Sequence, residues 1–180
     1  MFLRDYAEVR DDSLCWNKKS GRIIRACVPI HNLGHPARVR EIADICKAYN
    51  ILLIEDAAES LGSFTGEIHT GRIGQIGTLS FNGNKTITTG GGGAILTSDR
   101  PLAAQAKFLT TTAKSSHPWE YRHDQIGYNY RLPNLNAALG CGQMEQLPRF
   151  IKSKRKLAGL YQQWFNQREP EFVSEPEGAT

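Results

Sequence analysis

Ile23-Ile-Arg-Ala-Cys-Val-Pro-Ile30, Ala37-Arg-Val-Arg-Glu-Ile-Ala-Asp-Ile-Cys-Lys-Ala-Tyr49 and Ile51-Leu-Leu-Ile-Glu-Asp56 together decide the fold. The first segment is an apolar run that reads as a buried strand ending at His31. Asn32-Leu-Gly-His-Pro36 is a loop that puts Pro36 at the first position of a helix, where a missing N–H costs nothing. From Ala37 to Tyr49 the apolar residues Val39, Ile42, Ala43, Ile45 and Cys46 recur at helical spacing, with charges on the opposite side. Asn50 stops that helix, and Ile51 to Ile54 is a second buried strand that ends in Glu55-Asp56. Strand, short loop, amphipathic helix and apolar strand form a βαβ unit, which requires a parallel pair and a right-handed crossover. The fold class is therefore α/β, with a mostly parallel sheet flanked by helices.

Ligands of open α/β sheets bind at the carboxyl ends of the strands. His31 and Asp56 both stand at such ends. Small residues, Ala57-Ala58, follow Asp56 and leave room beside its carboxylate. A purely structural role is also open to Asp56, as the N-cap of a short helix from Ala57 to Leu61.

Further along, Thr78-Leu-Ser-Phe-Asn-Gly-Asn-Lys85-Thr-Ile-Thr-Thr-Gly-Gly-Gly-Gly-Ala94 runs from an apolar strand through a turn and four glycines. Ala94 to Thr97 is then a second strand. Four consecutive glycines forfeit backbone entropy and packing, so close approach of a ligand or a neighbouring chain is expected there. Lys85 is the only ionisable side chain between Arg72 and Asp99. It is either a solvated hairpin lysine or a nucleophilic amine in an apolar turn. A helix starts at Ser98-Asp99-Arg100-Pro101 and runs to about Leu109. Thr110 to His123 is a polar loop, Pro133 and Pro148 each open a helix, and Pro170 to Thr180 is polar with no closing element.

The 180-residue chain is long enough for one core, is 40% apolar and 22% charged, and carries a net charge of +4. The Lys152-Ser-Lys-Arg-Lys156 cluster falls on a helix and reads as a solvated face, so no nucleic-acid partner is expected. No apolar run is long enough to span a membrane. Four scattered cysteines without C-x-x-C pairing suit reduced thiols in the cytoplasm.

Several motifs fail on inspection. Gly83-Asn-Lys-Thr86 lacks the adjacent Gly-Lys and the helix of a P-loop. His31 and His35 have a zinc-like spacing, but Gly34 and Pro36 exclude the helix that would make it useful, so no metal is expected. No nucleophile elbow is present. What remains is an acid at one strand end and a lysine at another. Pyridoxal 5'-phosphate (PLP) chemistry needs that pair: a lysine to hold the aldehyde as a Schiff base and an acid beside the pyridinium nitrogen. Ser80, five residues before the lysine, offers a hydroxyl for the cofactor phosphate.

Glu55-Asp-Ala-Ala-Glu-Ser60, Ser80-Phe-Asn-Gly-Asn-Lys85-Thr-Ile-Thr-Thr-Gly90 and Gly127-Tyr-Asn-Tyr-Arg131 together resemble the DegT/DnrJ/EryC1/StrS family of nucleotide-sugar aminotransferases, which are fold-type-I PLP enzymes. Phe81-Asn-Gly-Asn-Lys85, the four glycines and Leu109-Thr-Thr-Thr-Ala-Lys114 resemble the transaminases that make UDP-4-amino-4,6-dideoxy-N-acetylglucosamine. The resemblance implies that Lys85 is the catalytic Schiff-base lysine and Asp56 the partner of the ring nitrogen. It places Ala58 on one face of the ring, Glu59 near the ring hydroxyl and Ser80 at the phosphate. Glu59 departs from the Gln or His usual there. Asn129 matches an asparagine that reaches the neighbouring subunit's phosphate, which implies a homodimer with shared sites. Asn82 falls on the substrate side, where His31 at its strand end is also expected.

The implied reaction moves an amino group, with glutamate as donor, to the 4-keto carbon of a nucleotide-linked 6-deoxy sugar. Residues 1–147 then form part of the PLP-binding large domain, and 148–180 a helix leading into a small C-terminal domain. Family members are longer and carry an upstream glycine–Ser/Thr phosphate loop that has no counterpart here. The expectation is a fragment, with two alternatives: an inactive truncation, or a PLP-dependent sugar dehydratase. Dehydratases are expected to replace the lysine with histidine.

Overall fold

The structure is a computed structural model that describes residues 2–165 and 173–180. A short helix α1 (Phe2–Tyr6) leads into an antiparallel pair, β1 (Ala7–Val9) and β2 (Cys15–Asn17). A turn follows β2, where the Asn17 side-chain oxygen accepts from the Lys19 and Ser20 N–H groups. The central unit is β3 (Ala26–Cys27), α2 (Val39–Ala48) and β4 (Leu52–Asp56). A small hairpin, β5 (Phe64–Thr65) with β6 (Ile68–His69), precedes β7 (Ile76–Ser80) and β8 (Gly93–Leu96). Three helices follow: α3 (Arg100–Thr110), α4 (Asn134–Met144) and α5 (Leu147–Phe165).

The main sheet has the order β3-β4-β7-β8. Its first three strands are parallel and β8 returns antiparallel to β7. The parallel pair with a crossover helix is as the sequence requires. Helix α2 packs Val39 and Cys46 into a core with Ala7, Cys15, Ile51 and Leu53. Each fully buried Val, Leu or Ile side chain stabilises by roughly 1.5–3 kcal/mol. Asp99 caps α3 by accepting from the Leu102 N–H at 3.0 Å, with Pro101 in the first turn.

Several details differ from the sequence reading. Ile23 to Ile30 is not one buried strand. Only Ala26–Cys27 pairs regularly, followed by a single bridge from Ile30 to Asp56, and Val28 and Ile30 are more than half exposed. The segment is the sheet's edge, and Pro29 has no N–H to extend a ladder. Strand β4 alternates instead of being buried throughout, with Leu53 and Glu55 inside and Leu52 exposed. Helix α2 starts two residues later than expected, and Ile45 is half exposed. Ala57 to Leu61 forms turns and no helix. The carboxyl terminus is tied down after all: Phe64 and Thr180 exchange backbone hydrogen bonds of 2.8 and 3.2 Å. The remainder of the expected open tail, 170–172, lies outside the described residues.

The glycine run has a mostly internal explanation. Gly90 and Gly92 have φ of 80° and 106°, in the left-handed region, and a Cβ on Gly93 would lie 2.3 Å from the Leu79 carbonyl oxygen of β7. The close approach is to the chain itself. A tighter one occurs at Gly77, where a Cβ would stand 2.0 Å from the Gly71 carbonyl oxygen. Gly77→Ala must push that loop off the sheet, so a loss of about 2–3 kcal/mol is expected, readable as a lower denaturant midpoint at unchanged slope.

All four cysteines are free thiols. Burial, with the Cys27 thiol beside it, pushes Cys46 up to about 11. No helix among the described residues is long and apolar enough to cross a membrane.

Candidate active site

The register of the main sheet sorts the strand-end residues onto two faces. Ile30 bridges to Asp56, Asp56 pairs with Thr78, and Ser80 lies two residues beyond Thr78 on the same strand. Partners in register and residues two apart share a face. Asp56, Thr78 and Ser80 therefore stand together at the carboxyl end of β4 and β7. Glu55 and His31, each one residue out of phase, point to the opposite face.

On the first face, Asp56 is partly exposed and one carboxylate oxygen accepts from the Ala58 N–H at 3.1 Å. That bond turns the chain sharply after the strand and fixes the carboxylate without a helix to cap. Ala57, fully buried, anchors the turn through its N–H to the Thr78 carbonyl at 3.0 Å. Glu59 follows in the same turn. Its carboxylate accepts from the Lys85 ammonium at 3.3 Å and, through the other oxygen, from the Leu33 N–H at 2.8 Å. Those two contacts hold the Glu59 carboxyl below the usual carboxylate range, the Leu33 N–H contributing most.

Lys85 sits in a tight turn, with its N–H donating to the Asn82 carbonyl at 3.1 Å, and its side chain is only 17% exposed. The Ser80 hydroxyl accepts from the Asn82 N–H at 3.4 Å, and the Asn82 side chain is exposed and turned to Asn84. Helix α4 braces the segment behind the lysine: Gln143 accepts from the Thr88 N–H and Asn136 donates to the Thr89 carbonyl. Asp56, Ala58, Glu59, Ser80, Asn82 and Lys85 are thus gathered on one edge.

Two expected residues are not gathered there. His31 is fully buried, with Nε2 at 2.9 Å from Glu55 and Nδ1 accepting from the Ala37 N–H at 3.0 Å. Both ring nitrogens are spent inside the protein, so His31 offers nothing to a substrate. Asn129 is exposed on an arm, joined to Thr111 by a backbone bridge, and its side chain forms no hydrogen bond among the described residues. The arm also exposes Trp119, Tyr121 and Ile126.

Glu55 escaped the sequence reading. It is fully buried on the inner face, where its carboxylate accepts from the Gly71, Ile73 and Gly74 N–H groups at 2.8, 2.6 and 2.5 Å, besides His31. Burial pushes its carboxyl up, but the His31 and backbone bonds together outweigh that and hold it below the usual glutamate value. The available signal was parity: Glu55 is two residues from core-facing Leu53.

The donor set fits PLP. At Asp56 a carboxylate faces the edge with one oxygen that carries no hydrogen bond among the described residues, an amine stands at Lys85, and a hydroxyl beside a turn N–H stands at Ser80. An acid, a lysine and a hydroxyl thus stand together at a parallel-sheet edge of an α/β domain, a candidate site for a carbonyl cofactor.

Residues 17–179 match the model of the DegT/DnrJ/EryC1/StrS aminotransferase family, and the chain belongs to that family. The GDP-perosamine synthase of Escherichia coli O157:H7 is 41% identical over 142 residues, 79% of this chain and 39% of the relative. A UDP-4-amino-4,6-dideoxy-N-acetyl-beta-L-altrosamine transaminase of Campylobacter jejuni is 27% identical over 171 residues, 91% of this chain and 46% of the relative. Among solved structures, E. coli GDP-4-keto-6-deoxy-D-mannose-3-dehydratase with bound hydrated PLP aligns at a TM-score of 0.75 and 28% identity, covering 85% of this chain and 43% of that one. The chain spans less than half the length of these relatives. The cofactor of the family is PLP, and the fold is part of the fold-type-I large domain.

Proposed function

We propose that this chain carries the cofactor-anchoring part of a PLP-dependent nucleotide-sugar aminotransferase. The observation that carries the reading is the convergence of Lys85, through Glu59, on the turn that follows Asp56, with Ser80 on the adjoining strand. When bound, PLP supplies an aldehyde for amines and a pyridinium ring that draws electron density from the substrate carbon. Asp56 keeps the ring nitrogen protonated by placing a negative charge against it. Ala58 would pack on one face of the ring, and Ser80 with the Asn82 N–H would receive the phosphate. Lys85 holds the cofactor between turnovers. Once freed by the amino donor, glutamate, its amine would take a proton from the donor carbon as base and give one back as acid. With the proton transfers run in the opposite order by Lys85, the nitrogen taken from glutamate would pass to the 4-keto carbon of a nucleotide-linked 6-deoxy sugar, whose keto oxygen would leave as water. Asn82 faces that substrate. Asn129, whose side chain forms no hydrogen bond among the described residues, reaches the phosphate site of a neighbouring copy in a homodimer.

The dehydratase reading has the likeness to the E. coli 3-dehydratase in its favour. Lys85 argues against it, because a histidine is expected at that position in such enzymes.

The test is a spectrum after mixing with PLP, then with glutamate. A long-wavelength band that glutamate converts to the amine form supports transamination. Asp56→Asn should keep cofactor attachment but slow that conversion by on the order of a hundredfold, the range of a lost charge-stabilising partner. Equal rates in wild type and Asp56→Asn would remove Asp56 from the mechanism.

A further inference from the structure

Glu59 does more in this structure than stand beside a cofactor. Its two carboxylate oxygens reach in different directions, one to the Lys85 ammonium at 3.3 Å and one to the Leu33 N–H at 2.8 Å. Leu33 lies in the short 3₁₀ turn Asn32–Gly34 that follows the β3 edge, and it has φ 53° and ψ 24°. That left-handed conformation is disfavoured for a leucine and persists only where something holds it. Its side chain is 77% exposed, so packing is not what holds it. Gly34 leaves the turn close against the Glu59 backbone, where a Cβ would be 3.4 Å from the Glu59 carbonyl oxygen. The remaining backbone ties of the turn are local, from Gly34 to His31 and from His35 to Asn32.

We infer that Glu59 is a two-ended clamp, a positioning residue that couples the state of the Lys85 amine to the conformation of the 32–34 turn at the edge of the site. While Lys85 remains an ammonium ion paired with Glu59, the carboxylate is held in place and pins the Leu33 N–H. Whatever draws the Lys85 amine away removes one anchor of the carboxylate, and the strained turn loosens. A glutamine in this position would keep an oxygen for Leu33 but lose the charge that ties it to the lysine. The inference rests on the reading of Lys85 as the group that leaves Glu59 when the site is loaded, but the coupling itself exists in the cofactor-free chain and is tested there.

The experiment is residue-resolved amide exchange on the cofactor-free full chain, following Leu33, with the Leu53 amide as the control for folding. In Glu59→Ala, Leu33 exchange should rise about tenfold, the scale of one lost hydrogen bond, while Leu53 stays protected. In Lys85→Ala it should rise by a smaller factor, roughly two- to fivefold, although no atom of Lys85 touches Leu33. Glu59→Gln guards against a folding defect, because it preserves size at a part-exposed position. In that background, Lys85→Ala should leave Leu33 exchange unchanged. The inference is overturned if Lys85→Ala leaves Leu33 exchange unchanged in the native background, or raises it equally in both backgrounds. Failure of the cofactor reading looks different: PLP would not attach at Lys85, while the exchange coupling would persist.

Discussion

Lys85→Ala is expected to abolish covalent attachment of PLP at the candidate site. Reduction of the PLP-treated wild type with borohydride should fix the cofactor on the peptide that contains Lys85, seen by mass spectrometry. The variant should show no fixed label on that peptide. The effect is all or none because the carbonyl needs an amine held at the edge. Lys85 is also the only ionisable group from Ile73 to Ser98. Its 17% exposure and its contact with Glu59 hold the amine inward, beside the turn after Asp56. Surface lysines react with PLP as well, so the decisive reading is the site of labelling at cofactor concentrations near that of the protein. Labelling that is spread over other lysines, and equal in wild type and variant, would remove Lys85 from its role.

The second large effect belongs to a residue with no part in the chemistry. Glu55→Ala strips a fully buried carboxylate from three backbone N–H groups and a buried histidine. Four donors would be left unsatisfied beside a cavity. Removing one member of such a buried arrangement costs about 3–5 kcal/mol, a large share of a domain's stability. Chemical denaturation should show that loss. Glu55→Gln should fall between the two, since its NH₂ group must face a donor. A loss under about 1 kcal/mol for Glu55→Ala would mean that the loop 71–74 is held otherwise.

The same carboxylate sets a pH dependence. Its folded value lies below the usual glutamate value of 4.5, so its stabilisation is full above that value and is lost as pH falls through it toward the lower folded value. His69 adds to this from higher pH. Burial, the largest cause, pushes it below its usual 6.5, so the folded protein resists protonating it and stability declines as pH drops below that value. Denaturant midpoints should fall on acidification, first shallowly and then steeply below about pH 4.5. In Glu55→Gln the steep part should flatten.

Much of the candidate site was legible in the chain because its residue types are set locally. Asp56 with two alanines after it, and Lys85 alone among glycines and threonines, stand out by residue type and neighbours. The βαβ order followed from a helical period set between two apolar runs. What the sequence did not disclose was which side of the sheet each strand-end residue faces. His31 and Asp56 both end strands, and both looked available to a ligand. A one-residue difference in phase sends Asp56 to the edge that carries the candidate site and His31 into the interior.

The glycine run illustrates the same division. Four glycines announce a demand on the backbone, but not who makes it. The Leu79 carbonyl answers for Gly93, and left-handed dihedrals answer for Gly90 and Gly92.

By itself, the sequence determined the parallel βαβ frame, the residue types at its carboxyl edge and the family they belong to. Periodicity, turn chemistry and short motifs are all properties of neighbouring residues. Only the tertiary structure decided that Ile30 pairs with Asp56, and hence that Asp56 and Ser80 share a face while Glu55 and His31 lock the opposite one. Register depends on contacts between segments tens of residues apart, and no local pattern records it.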